Sequence, residues 1–146
     1  MDTRELFARL IRCEAEGEGD SGMRAVATVV MNRVRVPYGE YHDVGMGSLR
    51  RVIEQICQFS CYKTTISGSQ NIQNVWSMTP RAIDYEIADW AISGGIHTGA
   101  GSLALWYMNP FQPECPNFFP YNRNGYWYTR INLHCFYNPT NRYAQT

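Results

Sequence analysis

The periodicity of the apolar residues changes once along this 146-residue chain, and that change limits the folds it can adopt. Up to Gly94 apolar residues recur every three or four positions, as on one face of an α-helix. From Tyr126 to Tyr137 they alternate with period two, which is typical of a β-strand. Because helices come first and short β pieces last, without βαβ alternation, we predict an α+β domain. We expect residues 1–146 to form a single domain.

Four helices are predicted from capping residues and apolar stripes. The first helix is expected to be capped by Asp2 and ended by Gly17 and Gly19, and the second to be capped by Asp20 or Ser21 and ended by Pro37. Ser48 is expected to cap the third, and Thr79, followed by Pro80, to cap the fourth, which ends at Gly94. Residues 64–77 are rich in Ser, Thr, Asn, Gln and Gly, which indicates an exposed loop. Beyond Leu103 we expect only short β segments, the clearest over residues 126–137.

Charge and composition disfavour several classes of partner. Thirteen basic and thirteen acidic residues balance, with no run of five like charges, so we expect no nucleic acid or anionic membrane as partner. The first ten residues do not resemble a secretory signal, and no apolar stretch is long enough to span a bilayer, so we expect synthesis without a signal peptide. The five cysteines are odd in number and show no Cys-x-x-Cys spacing, which predicts neither a metal nor a cofactor and favours buried apolar roles.

Glu14 is the anomaly of the first helix. The apolar stripe that begins at Leu6 continues at helical spacing, and Glu14 occupies its next position. Desolvation raises the pKa of a carboxyl group, so a glutamate placed there could donate a proton at neutral pH. Two structural alternatives remain open: Glu14 forms an ion pair with Arg33, or the helix simply stops one residue early. Glu18 lies in the following turn, where we expect it to face water.

Aromatic residues dominate the C-terminal part, because more than half of the twenty lie between Trp106 and Tyr143, among Asn, Pro and Gly. Aromatic faces stack on sugar rings while amides and hydroxyls bind the sugar hydroxyl groups, which favours a carbohydrate cleft. The alternative is that these rings form the core of the β segment. His134 falls within the final alternation and is either structural or part of the site.

Four segments together resemble a known family. They are "RCEAEGEGDSGMRAVATVVMNRV", "QICQFSCYK", "ALWYMNP" and "INLHCFYNP", and they are similar, in this order, to landmarks of the spore cortex-lytic cell-wall hydrolases of the SleB/CwlJ type, in its short leaderless form. The resemblance implies a lysozyme-like α+β fold and cleavage of spore cortex peptidoglycan in germination, with Glu14 as general acid. It also implies a location at the spore coat and cortex boundary, with spore-coat proteins as possible partners. The residues expected to bind substrate are Glu18, Gln58, Phe59, Ser60, Tyr107, Asn109, Trp127 and His134.

The mechanism depends on the number of carboxyl groups. Hydrolytic glycosidases ordinarily use two, whereas only Glu14 is well supported here, so we predict a lytic transglycosylase acting on the MurNAc-GlcNAc bond. One alternative is muramidase hydrolysis assisted by Glu18. Another is a zinc N-acetylmuramoyl-L-alanine amidase, in which His42, His97 and His134 converge on a metal. The third is a non-catalytic sugar-binding coat module.

Overall fold

The computed structural model describes residues 1–57 and 61–146, so the predictions for Gln58, Phe59 and Ser60 lie outside the described residues. The helices are α1 (Thr3–Ala15), α2 (Gly19–Arg35), α3 (Gly39–Gly45), α4 (Leu49–Cys57) and α5 (Ala82–Ile92). The strands are β1 (Thr65–Ile66), β2 (Ser69–Gln70), β3 (Trp106–Met108), β4 (Gly125–Ile131) and β5 (His134–Pro139). Short 3-10 helices cover Glu16–Glu18 and Tyr143–Gln145. Within the described ranges, no helix is long and apolar enough to cross a bilayer.

The first two helices meet at a sharp bend. Asp2 caps α1 as predicted, since its Oδ1 accepts a hydrogen bond from the backbone N of Glu5 at 2.7 Å. After α1 the chain passes through the 3-10 turn Glu16–Glu18 and enters α2 at Gly19, whose φ of 73° lies in the left-handed region that favours glycine. The bend leaves the last turn of α1 beside the start of α2.

A helical core holds α1, α2, α4 and α5 together. Each buried aliphatic or aromatic side chain removed from water contributes about 1.5–3 kcal/mol to folding before entropy is counted. The fully buried members of this helical core include Phe7, Leu10, Ile11, Val26, Val30, Val52, Ile53 and Ile87. This core fixes the direction of α1 and therefore the position of its C-terminal turn.

The C-terminal sheet has three antiparallel strands in the order β3-β5-β4. The segment 126–137, which the alternation predicts as one strand, is in fact the hairpin of β4 and β5, with Ile131 opposite His134. Asn132 adopts a φ of 53°, a conformation that asparagine tolerates, and this allows the tight reversal. An irregularity between Trp127 and Thr129 also interrupts the alternation within β4.

An aromatic core joins the sheet to α3. Trp106 and Tyr137 lie opposite each other on β3 and β5 and are both fully buried. The indole Nε1 of Trp106 donates to the hydroxyl of Tyr41 on α3 at 2.7 Å. A disulfide links Cys135, a buried member of this core, to Cys115, which packs against it. Some of the aromatic rings therefore form a structural core, as the alternative to sugar binding predicts.

The α+β, mainly helical architecture with a small C-terminal β element is confirmed, but two helix starts differ from prediction and two short features are additional. Helix α2 begins at Gly19 rather than after Asp20 or Ser21, and α3 was not predicted. Helix α5 begins at Ala82 instead of following a Thr79 cap, because the buried Asp84 accepts a hydrogen bond from the backbone N of Arg81 at 2.8 Å and so fixes the first turn there. The strands β1 and β2 form a short hairpin inside the predicted loop.

Candidate active site

Glu14 lies in the last turn of α1, half-buried, on the wall of a cleft of about 520 Å³. That volume falls within the range of small-molecule and sugar sites. The cleft lies between the helical core and the aromatic core, so residues from both line it. Its other lining residues include Arg33, Tyr41, Gln55, Trp106, Tyr107 and Tyr121. The carboxyl group that the helical pattern singled out is therefore reachable from a cleft with largely aromatic walls.

Two side chains stand against the Glu14 carboxyl group. The Cys61 thiol donates a hydrogen bond to Oε1 of Glu14, with 2.7 Å between sulfur and oxygen. Tyr107, on β3, presents a buried hydroxyl on the same side. Burial raises the pKa of Tyr107 well above its usual value, and the negative charge of Glu14 raises it further. The phenol therefore stays protonated across the physiological range.

Arg33, the predicted ion-pair partner of Glu14, is directed at other groups. Its Nε donates to the backbone oxygen of Leu105 at 2.6 Å, and its guanidinium carbon lies 4.2 Å from the centre of the Tyr41 ring. In the part of the chain that the structure describes, no direct ion pair joins Arg33 to Glu14. Arg33 nevertheless lines the cleft and places a positive charge in it.

Glu18 does not face water, and this prediction is wrong. Its carboxyl group is buried because the β4-β5 turn covers it: Oε1 accepts from the backbone N of Leu133 at 3.2 Å and lies 2.7 Å from Nδ1 of His134. At that distance the negative charge of Glu18 acts directly on the imidazole ring. Burial lowers the pKa of His134, and the nearby charge of Glu18 opposes part of that shift.

The remaining predicted binding residues lie apart from Glu14. Trp127 is 40 % exposed on β4, and its backbone N donates to the Asn117 oxygen. Asn109 follows β3 and turns its own loop, since its Oδ1 accepts from the backbone N of Phe111 at 2.8 Å. Neither Trp127 nor Asn109 lines the cleft as the structure describes it. Their sugar-binding roles stay predictions.

The three histidines that the amidase alternative requires, His42, His97 and His134, contact different parts of the structure. Nδ1 of His97 accepts from the backbone N of Gly99 at 3.0 Å, so its Nε2 carries the proton and donates to Oγ of Ser21 at 2.8 Å. His134 contacts Glu18, and His42 lies on α3. Among residues 1–57 and 61–146, no group of three His, Cys, Asp or Glu side chains is arranged to hold a metal ion.

Comparison with known proteins decides the family. The family described as Cell Wall Hydrolase matches residues 17–137. The chain belongs to the cell wall hydrolase family. Two proteins named cell wall hydrolase CwlJ, from Halalkalibacterium halodurans and Bacillus subtilis, are each 32% identical to it over 93% of this chain and over 85% and 84% of their own lengths. The predicted family and the predicted peptidoglycan-cleaving enzyme class are confirmed.

Solved structures show that this cell wall hydrolase shares a known fold. The catalytic domain of the germination-specific lytic transglycosylase SleB from Bacillus anthracis superposes with a TM-score of 0.59 at 21% identity, covering 93% of each chain. The SleB catalytic domain from Bacillus cereus gives 0.54 at 22% identity, covering 93% of this chain and 89% of that one. At this level of identity the likeness establishes the fold alone.

The sequence of this cell wall hydrolase does not show which residues meet around its cleft. Cys61 is 47 positions from Glu14, and only the folding of the segment after α4 brings its thiol to the carboxyl group. Tyr41 and Trp106 meet across 65 positions. Tyr121 lies in the loop before β4 and donates to Oε1 of Glu40 at 2.8 Å. Their aromatic character suited a sugar cleft, but nothing in the spacing distinguished them from core residues.

Proposed function

We propose that this cell wall hydrolase is a spore cortex-lytic enzyme that cleaves the MurNAc-GlcNAc bond by lytic transglycosylation, with Glu14 as general acid and then base. The position of Glu14 carries the proposal. Its carboxyl group is the only one among the described residues lining the cleft, whereas Glu18 is buried against the β4-β5 turn. A hydrolytic glycosidase would ordinarily need a second carboxyl group to activate water.

The proposed reaction needs one carboxyl group and no water. Protonated Glu14 gives its proton to the oxygen that bridges the two sugars, and the bond between that oxygen and C1 of muramic acid breaks. The Glu14 carboxylate then takes the proton of the muramic acid 6-hydroxyl while O6 forms a bond to C1. The products are a new GlcNAc hydroxyl and a 1,6-anhydromuramic acid end, and Glu14 is again protonated.

The cleft walls suit a glycan strand. Tyr41, Tyr107 and Tyr121 give the cleft aromatic walls, and its lining also contains the polar residues Arg33 and Gln55. Aromatic rings combined with polar groups bind sugar rings and their hydroxyls. Among the predicted binding residues, Tyr107 lines this cleft directly. Asn109, Trp127 and the segment 58–60 are proposed to extend contact along the strand. Glu18 and His134 are proposed to act indirectly, by holding the β4-β5 turn behind Tyr107.

The biological setting is proposed from the relatives. Both proteins that are 32% identical to this chain carry the name CwlJ, and the protein of similar fold from Bacillus anthracis is described as germination-specific. We therefore place the substrate in the spore cortex, the protein at the coat and cortex boundary, and its possible partners among spore-coat proteins. The chain is proposed to act as one catalytic domain over residues 1–146.

The replacement Glu14→Gln tests the catalytic role. It keeps the size of the side chain and removes the transferable proton, so cortex cleavage should fall by about a hundredfold or more. Cleavage is followed as loss of turbidity of permeabilised spores, and pelleting with cortex peptidoglycan measures binding, which should persist.

Glu16→Gln is the matched control. Glu16 lies two residues along the same turn, where it forms a half-exposed ion pair with Arg12, so its replacement should leave the cleavage rate near wild type. A wild-type rate for Glu14→Gln would remove Glu14 from the mechanism. Cortex binding without cleavage by the wild-type protein would instead favour the sugar-binding module.

A further inference from the structure

We propose that Cys61 is a positioning residue for Glu14, fixing one carboxyl oxygen so that the other faces the glycosidic bond. This inference rests on the proposed catalytic role of Glu14. The Cys61 thiol lies 2.7 Å from Oε1 of Glu14 and donates its proton to it, while the Cys61 side chain is fully buried. The two residues are 47 positions apart, so the contact is a product of tertiary structure.

Backbone contacts tie Cys61 to the helix that carries Glu14. The carbonyl oxygen of Cys61 accepts from the backbone N of Val75 at 2.8 Å. The carbonyl oxygen of Val75 in turn accepts from Nη1 of Arg9 at 2.7 Å, and Arg9 lies on α1. Arg9 and Glu14 both belong to α1, so these hydrogen bonds hold the backbone of Cys61 against the helix that carries Glu14.

A fixed donor matters because the terminal torsion of a glutamate is broad. That torsion has roughly two equivalent minima, so an unsupported carboxyl group presents either oxygen to the cleft. A thiol is a weak donor, but its bond to a carboxylate is charge-assisted, so it favours one arrangement. With Oε1 held by the thiol, Oε2 is left to carry the proton that reaches the bridging oxygen.

A second thiol lies beside Cys61 but does not donate to Glu14. Cys13 precedes Glu14 on α1, and its Sγ donates to the backbone oxygen of Gln73 at 3.0 Å. The neighbouring Cys61 thiol and burial raise the pKa of Cys13 far above the usual range of a thiol. Cys13 therefore stays neutral and places no negative charge beside the Glu14 carboxylate that forms during the reaction.

The test compares three replacements at position 61 on soluble glycan strands prepared from cortex. Cys61→Ala and Cys61→Val remove the donor, and valine also keeps the site filled should alanine fail to fold. Each should lower kcat by about tenfold or more while KM stays near wild type, because a hydrogen bond to a charged group is lost without loss of a substrate contact. Cys61→Ser restores a donor and should return kcat to within about threefold of wild type.

Cys13→Ala is the matched control, since it removes the neighbouring thiol and leaves the donor to Glu14, and its kcat should stay near wild type. Wild-type kcat for both Cys61→Ala and Cys61→Val would overturn the positioning role, as would a Cys61→Ser variant as slow as they are. Either result, with Glu14→Gln inactive, leaves the proposed function standing. Activity of Glu14→Gln would remove both proposals together.

Discussion

Replacing Glu18 with alanine should destabilise the fold instead of removing a catalytic group. The Glu18 carboxyl group is about nine-tenths buried, and its Oε1 accepts a hydrogen bond from Leu133 N and lies 2.7 Å from Nδ1 of His134. The backbone oxygen of Glu18 also accepts from Nδ2 of Asn132 at 2.6 Å, a bond that the replacement leaves in place. The side-chain contacts are therefore what the variant loses.

The size of the loss follows from those contacts. A hydrogen bond to a charged group is worth about 1.5–3 kcal/mol, so Glu18→Ala should lower the free energy of unfolding by about 2–3 kcal/mol. For a domain of this size that corresponds to a fall in melting temperature of about 5–10 °C. Glu18→Gln keeps an acceptor oxygen for Leu133 N and should cost about 1 kcal/mol.

Urea unfolding followed by circular dichroism measures these free energies, and cortex cleavage is then assayed at a temperature where both variants remain folded. Under those conditions Glu18→Gln should retain most of the wild-type rate. A Glu18→Gln variant with wild-type stability and no cleavage would refute the structural role. It would instead promote Glu18 to the second carboxyl group of a hydrolytic mechanism.

Two further predictions concern the sheet. Trp127→Ala should weaken binding to glycan strands by about three- to tenfold, because an exposed ring that stacks on a sugar is lost. Its free energy of unfolding should change by less than about 1 kcal/mol. A loss of unfolding free energy as large as the loss of binding free energy would return Trp127 to a structural role. Burial lowers the pKa of His134, so the unfolded chain binds its proton more readily and folding stability should decline as the pH falls below about 6.5. His134→Asn should reduce that decline in thermal melts between about pH 7.5 and 5.5, and an unchanged slope would contradict the shift.

Local signals identified the parts of the site that depend on local structure. Asp2 and the apolar stripe predicted α1, and continuing that stripe led to Glu14 because helical geometry alone decides which residues share a face. The aromatic content of the last third predicted the character of the cleft walls. The four segments that resemble the cell-wall hydrolases extended the prediction of fold and function to the rest of the chain.

Contacts between distant segments could not be predicted in this way. Glu18 is buried by a turn 115 positions away, so its sequence neighbours, two glycines, gave the opposite expectation of exposure. Cys61 meets Glu14 through tertiary contacts: its carbonyl oxygen accepts from Val75 N, and the Val75 oxygen accepts from Arg9 on α1. The alternation over 126–137 identified β structure correctly but could not show the reversal at Asn132. The turn pairs Ile131 with His134, so next to the turn odd-numbered residues of β4 lie opposite even-numbered residues of β5, a change of phase that a continuous alternation does not contain.

The chemical form of the cleaved glycan end tests the central claim most directly. Cortex peptidoglycan digested by the wild-type protein is separated and analysed by mass spectrometry without prior reduction. If Glu14 acts alone as acid and then base, the fragments end in 1,6-anhydromuramic acid, each one water lighter than a muramidase product, and borohydride leaves them unchanged. Fragments ending in reducible muramic acid would contradict the account, because water would then be the acceptor and a second carboxyl group would have to activate it.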